Sequence, residues 1–392
     1  MLVEYRVNIY SKDNVLEKVL FYNDASVKSF NETINKGGSA VFSIKKESQH
    51  AIKDNFTKYK RVKIFRFNED TSSFDVVFSG FIETILQNGE EGFEIGCVGV
   101  IDLFKKRLGS LDVTSSDGGT EALGLLTTTN TADDTKITVG TSDYDNLLDK
   151  YKADNKPIFD IWTDIAKNED DGTGIGEFEI VKSSDVLNFK KSLGSDKTAT
   201  VVLKYDEDNP QYNNINRTNI EESGIKLVNK IYGIGKSSGG TPLTYTGTDS
   251  GSIAIYGLLE EQKSYDSAED AAQLQALVDG DLQNMKEEIS NNDITALTKE
   301  IVPTLSGTKT VGLDLFDIEL GDTITLMYNT TWISFTESRR IVSISVSIDN
   351  GGNEEISLKL NKIDQNLSLT EEISSIDEIS QRQRAYDNRI YK

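Results

Sequence analysis

Apolar and polar residues alternate with a period of two at both ends of this chain, and that pattern constrains its fold more than any other feature. Val3, Tyr5, Val7 and Ile9 share one face, with Glu4, Arg6 and Asn8 on the other. A segment that alternates this way buries one side of a sheet and wets the other. The period recurs at 15–22, and again at Ala40, Phe42 and Ile44 after the Lys36-Gly37-Gly38 turn. It predicts further strands at 61–67, 76–86 and 93–98. Asn88-Gly89 favours a turn that matches strand twist, so the last two form a hairpin. The far end repeats the style with strands at 294–302, 322–328, 340–348 and 354–360, and a hairpin turn at Asp349-Asn350-Gly351-Gly352. Many short strands with regular turn signals point to barrels or sandwiches.

The middle is less regular. Residues 47–57 are expected to form a short helix burying Ala51, Ile52 and Phe56. At Gly99 the period changes. Val100, Ile101, Leu103, Phe104 and Leu108 fit one face of a short helix, Lys105, Lys106 and Arg107 complement its C-terminal dipole, and Gly109 stops it. Residues 110–145, rich in Thr, Ser, Gly and Asp, read as a surface excursion with one strand near 136–139. Pro157 opens a helix that buries Ile158, Ile161, Trp162 and Ile165. Strands are expected at 178–181, 198–205 and 225–234, and a flexible loop at 237–251. The clearest helix is 266–288, with Ser267 as N-cap and a stripe of Ala271, Leu274, Leu277, Val278, Leu282 and Met285. The last residues carry Leu369, Ile373 and Ile376, then Tyr386 and Ile390, at helical spacing. That stripe is too narrow for a core helix and suits a surface helix or the start of a coiled coil.

The fold class that follows is mainly β with an α+β insertion: two small tube-type β-barrel domains, an α/β middle region and a C-terminal helix. The expected segments are 1–110, 111–260, 261–291, 292–363 and 364–392.

A formal net charge of −22 argues against specific nucleic-acid binding, because such a surface repels phosphate. The single cysteine, Cys97, excludes an intramolecular disulfide and sits in an apolar strand. No signal peptide and no membrane span are expected. His50 is the only histidine and reads as a solvated helix residue with no nucleophile signature around it. No pair of carboxylates stands out for a glycosidase. The segments 168–174 and 206–209 resemble calcium loops only superficially. Gly233-Ile234-Gly235-Lys236-Ser237 lacks the first glycine of a phosphate loop, since position 230 is Lys230, and its glycines are expected in a tight turn. Neither a metal nor an organic cofactor is expected. One basic cluster remains: Lys58, Lys60, Arg61 and Lys63 around Tyr59. It reads either as a docking patch for an acidic neighbour or as a strand edge whose lysines discourage pairing.

Four patterns resemble the baseplate hub, or tail-tip hub, proteins of tailed bacteriophages and contractile injection machines. They are Phe78-Ser79-Gly80-Phe81-Ile82, Ile95-Gly96-Cys97-Val98-Gly99-Val100-Ile101-Asp102-Leu103, Ile255-Tyr256-Gly257-Leu258-Leu259-Glu260 before the long helix, and Leu320-Gly321-Asp322-Thr323-Ile324 before the hairpin through Arg340. The resemblance covers 1–108 and 225–363 and implies a non-enzymatic virion protein made in the host cytoplasm. It implies a homotrimer whose six barrels join a sixfold tail tube, or a distal tail protein, to a threefold spike, fibre or tail-tip protein. The tape measure protein and passing phage DNA would be its other contacts, without specific DNA binding. Leu369, Ile373, Ile376, Tyr386 and Ile390 would then face the next component or form a three-stranded bundle. Competing readings are a hexameric distal tail ring, a cell-wall hydrolase, and a carbohydrate-binding module using Trp162 or Trp332, both of which sit in apolar stretches and are expected in the core.

Overall fold

The computed structural model describes residues 3–88, 92–145, 147–148, 151–167, 176–238, 241–265, 268, 270–287, 289–297, 300–304 and 307–362. The chain opens with β1 (Tyr5–Tyr10), β2 (Leu16–Leu20), β3 (Ala25–Thr33), β4 (Ser39–Ile44), β5 (Arg61–Asn68), β6 (Ser73–Asn88) and β7 (Gly92–Gly99). Next come β8 (Leu108–Val113), β9 (Ser116–Asp117), α1 (Gly118–Ala132), β10 (Thr138–Ser142), β11 (Leu147–Leu148), β12 (Tyr151–Pro157) and α2 (Ile158–Lys167). They are followed by β13 (Glu177–Val181), β14 (Val186–Lys190), β15 (Val202–Asp206) and β16 (Ile215–Ser223). Then come β17 (Lys230–Ser238), β18 (Thr241–Thr248), α3 (Ser250–Tyr256), β19 (Glu260–Tyr265) and α4 (Ala271–Met285). The described part closes with β20 (Ile289–Ala296), β21 (Glu300–Thr304), β22 (Gly307–Val311), β23 (Thr323–Asn329), β24 (Ser334–Ile348) and β25 (Glu354–Lys362). The fold is mainly β, as the alternation requires.

The chain divides into two compact units, one built from the chain up to 165, 177–222 and 290–363, the other centred on 223–289. In the first unit, strands from both ends share one 13-stranded sheet. Its main path runs β16-β20-β25-β24-β3-β4-β7-β6-β5-β1-β2, with β23 on β24 and β15 on β23. One core fills it, with Phe42, Phe78 and Ile95 from the first end and Ile324, Ile341 and Leu358 from the second.

The sheet contains the same five-strand unit twice. In chain order β3, β4, β5, β6 and β7 correspond to β16, β20, β23, β24 and β25. Their order in the sheet is β5-β6-β7-β4-β3 in one case and β23-β24-β25-β20-β16 in the other. The ladder shifts between Ile82 and Thr84 where β6 meets β7, and between Ile341 and Ser343 where β24 meets β25. Tyr59 N–H donates to the Ile82 carbonyl at 2.8 Å, and Gly321 N–H to the Ile341 carbonyl at 2.8 Å. Ile82 N–H donates to the Lys60 carbonyl at 3.0 Å, and Ile341 N–H to the Asp322 carbonyl at 2.8 Å. Lys45 N–H donates to the Asp24 carbonyl at 2.9 Å, and Leu297 N–H to the Asn214 carbonyl at 2.8 Å. Tyr59 and Gly321 both have positive φ, 63° and 85°. The sixth strands differ: β1 runs antiparallel to β5, whereas β15 runs parallel to β23.

Several local expectations are corrected. Residues 47–57 form turns and one 3-10 turn, Lys53–Phe56; Phe56 is buried but Ile52 is exposed, and His50 lies in a turn. The helix after Gly99 is a short 3-10 helix, Val100–Lys105; Leu108 is exposed and, with Gly109, belongs to β8. The excursion at 110–145 holds α1. Thr127, Thr128, Thr129 and Thr131 donate to carbonyls four residues back, which satisfies the hydroxyls that made this stretch look like loop. Asp117 caps α1 by accepting from Thr120 N–H at 2.6 Å. Helix α2 buries Ile158, Ile161, Trp162 and Ile165 as expected, and Trp162 donates to the Ala122 carbonyl at 3.0 Å.

In the second unit β17 lies between β18 and β19, and α4 packs on them through Leu274, Val278 and Leu282. Ala271, expected in that stripe, is exposed. The strand expected at 225–234 starts at Lys230, leaving Ile225 exposed, and the loop expected at 237–251 contains β18. Gly233 and Gly235 lie in β17, not in a turn. A Cβ on Gly233 would come within 2.3 Å of Val278 Cγ2, so this glycine lets the helix approach the strand. Ser267 and the expected helix at 364–392 lie outside the described residues.

Candidate interaction surface

The basic cluster is divided by burial. Arg61 and Lys63 lie on β5 and are buried. Asp185, at a turn with φ of 60°, receives Arg61 Nη2 at 2.6 Å and Lys63 Nζ at 2.8 Å. Burial pushes the Arg61 guanidinium below its usual range despite Asp185. These two cations hold the β13–β14 segment against the sheet and are not on offer to a partner, which corrects their reading as docking residues. Lys60 pairs with Glu17 at 2.7 Å and is half-buried. Of the four, Lys58 alone is exposed. Leu369, Ile373, Ile376, Tyr386 and Ile390 lie outside the described residues.

The second repeat also holds the inserted segment by buried charge, through one anion and one cation of its own. The buried Asp322 carboxylate accepts Ser195 N–H at 2.7 Å and Glu319 N–H at 2.7 Å, and pairs with Lys197 at 2.9 Å. Arg340 makes a bidentate pair with buried Glu177, its Nη2 at 2.6 Å, and also donates to the Leu193 carbonyl at 3.0 Å. Arg66 meets Glu354 and Asp314, and Tyr5 donates to Glu354. Burial, then the Glu354 charge, raises the Tyr5 phenol well above its ordinary range. These are structural anchors, with no nucleophile or open carboxylate pair among them.

The calcium-like segment at 206–209 is already satisfied. Asp206 accepts from Asn329 at 3.0 Å, Asn209 at 3.3 Å and Asp208 N–H at 3.2 Å, and pairs with Lys204 at 3.2 Å. The Asn329 hydrogen bond leads in lowering its carboxyl to about 2. The similar segment at 168–174 lies outside the described residues, apart from which no cluster of metal-ligating side chains is present among the described residues. Cys97 is buried, and burial raises its thiol strongly, so it is unreactive.

Two features face outward instead. The first is the tip between β23 and β24. Trp332 is 91% exposed there, which corrects its placement in the core. The tip is well tied: Thr331 N–H donates to Glu207 at 2.9 Å, and Trp332 and Ile333 N–H groups donate to Thr330 Oγ1. Tyr205, Tyr328 and Phe335 stack beneath it at 5.2 and 5.8 Å. An exposed tryptophan on a hydrogen-bonded turn is the type of side chain that anchors interfaces. The Asn329-Thr330-Thr331 run before it was the available turn signal.

The second feature is strand edge. The β5 ladder on β6 ends at Phe81, and beyond it 84–88 pair with β7 on one side and with no strand on the other among the described residues. That stretch includes Leu86, which is 54% exposed. β16 ends the sheet, so its outer edge also carries no strand among the described residues. No helix among the described residues is long and apolar enough to cross a membrane.

No family model matches the sequence, and no curated protein sequence matches it. Solved structures do. A tail protein from Neisseria meningitidis aligns over 92% of this chain and 98% of its own, at 12% identity and a TM-score of 0.64. The 43 kDa tail protein of prophage MuSo2 from Shewanella oneidensis aligns over the same shares at 11% identity and a TM-score of 0.62. Prophage tail protein gp18 from Listeria monocytogenes aligns over 91% and 95% at 13% identity and a TM-score of 0.54. The chain therefore has the fold of phage tail proteins along nearly its whole length.

Proposed function

We propose that this chain is a structural virion protein of a phage tail tip. Three copies form a hub that joins a sixfold tail tube, or a distal tail protein, to a threefold spike, fibre or tail-tip protein. The observation that carries this reading is the five-strand repeat. One chain offers the same strand order, bulge and turn twice, so three chains offer six equivalent units. A hexameric distal tail ring would need the unit once per chain. The fold likeness to tail proteins supports the setting.

In this role the protein performs no chemistry. The tape measure protein and the passing genome would be transient occupants of the channel, and the net charge of −22 keeps DNA from adhering. The Trp332 tip serves as an anchor for a neighbouring tail component. Native mass spectrometry tests the reading: three subunits are expected, and six would favour the distal ring. A clear lytic band on a peptidoglycan zymogram would replace the structural role with a hydrolase.

A further inference from the structure

The junction between the two repeats inside one chain specifies how one chain meets the next. β24 carries two strands end to end on one edge. β23 pairs with it over 334–340, and β3 of the first repeat pairs over 343–347. β6 is the equivalent of β24, and β5 occupies the equivalent of the β23 position. The place that β3 takes on β24 is the vacant edge of β6 at 84–88. The equivalent of β3 is β16, nine residues long as β3 is, and its outer edge is also vacant. Among the described residues, each chain thus has an unfilled acceptor edge on β6 and an unfilled donor strand in β16, related to each other as the filled pair is.

We infer that β16 of a second copy of this chain pairs antiparallel with residues 84–88 of β6, repeating between subunits the β3–β24 junction found within each. The inference deepens the trimeric reading and rests on it for closure, since a head-to-tail contact makes either a ring or an open filament. The composition of the edge agrees. Thr84-Ile85-Leu86-Gln87 contains no charge and no proline, the devices by which sheet proteins protect an edge meant to stay single. The repeat also sets the register. Val346 stands opposite Phe30, so Gln87 stands opposite Ile220. Ile34 N–H donates to the Val342 carbonyl, and alternation along β24 sends the peptide groups of Ile344 and Val346 toward β3. The same alternation turns the peptide groups of Ile85 and Gln87 toward the vacant edge.

Two variants of the full chain test this. Gln87→Cys combined with Ile220→Cys is expected to give disulfide-linked dimers and trimers on oxidation, with neither single variant doing so; buried Cys97 stays out of the exchange. Gln87→Pro removes a donor from the vacant edge but none from the β6–β7 ladder. It is expected to weaken self-association by about 100-fold with an unchanged thermal melt. A native trimer that neither cross-links in the double variant nor responds to the proline would overturn the inference and leave the trimeric hub standing. Cross-linked open polymers without a trimer would keep the strand pairing and overturn the hub.

Discussion

The first repeat turns into β5 at Tyr59, and the second turns into β23 at Gly321, with the same two backbone hydrogen bonds to the long strand beside each. The residues that follow have nothing in common. Lys60 meets solvent and Glu17 where Asp322 is buried among backbone donors, and Arg61 stands where the other repeat has Thr323. The comparison teaches that the duplication lives in the ladder rather than in the side chains. It also separates the two long strands. β24 has its second edge filled from within the chain, whereas the corresponding edge of β6 carries no strand among the described residues. The same backbone unit is therefore an interior joint in one place and a candidate outer joint in the other.

Substitutions at equivalent points test how far the repeats have diverged. Asp185→Asn keeps a residue that tolerates positive φ but leaves Arg61 and Lys63 buried and unpaired. It is expected to cost about 3–5 kcal/mol in urea unfolding. Asp322→Asn weakens the hold on Ser195 and Lys197 and is expected to cost about 2–3 kcal/mol. At the equivalent position Lys60→Ala should cost less than about 1 kcal/mol, because its ion pair is partly solvated. Equal losses at these two positions would mean that the repeats bear equal loads.

Gly321→Ala places a Cβ within 2.4 Å of the Leu193 carbonyl and strains a positive φ, with an expected loss of about 2 kcal/mol. Tyr59→Gly should change the melt by less than about 1 kcal/mol, since glycine relaxes the same backbone conformation while the ring's contact with Lys106 is lost. Trp332→Ala should leave stability within about 0.5 kcal/mol of the parent. It should also remove the red-shifted, iodide-quenched part of the fluorescence, leaving the shielded emission of Trp162.

The smallest effect is expected from pH. The Asp206 carboxyl sits at about 2 in the fold, below the unfolded value of about 3.9. Its contribution is therefore complete above pH 4 and is lost as pH falls through 2. The stability difference between the parent and Asn329→Ala should shrink across that interval. A difference that stays constant with pH would remove Asp206 from the second repeat's support.

Much of the fold was legible from residue order alone. The period of two placed most strands of both ends but not β3, where the alternation is carried by Ala25, Val27 and Phe30 among polar residues. The Asp349–Gly352 turn placed the β24–β25 hairpin, and the spacing after Pro157 placed α2 and its buried face. These are local matters, decided by which side of an element must leave water. Helix α1 was not legible, because its threonines satisfy their hydroxyls on its own carbonyls only once the helix exists. Trp332 and Arg61 were misread for a related reason: neighbours in sequence do not say whether a side chain ends at a hairpin tip or beside Asp185, more than a hundred residues away. The sequence by itself determined most of the strands at the two ends and the net negative charge. Only the tertiary structure decided which strand lies beside which, and so revealed the repeat, because a backbone ladder places little demand on which side chains it carries.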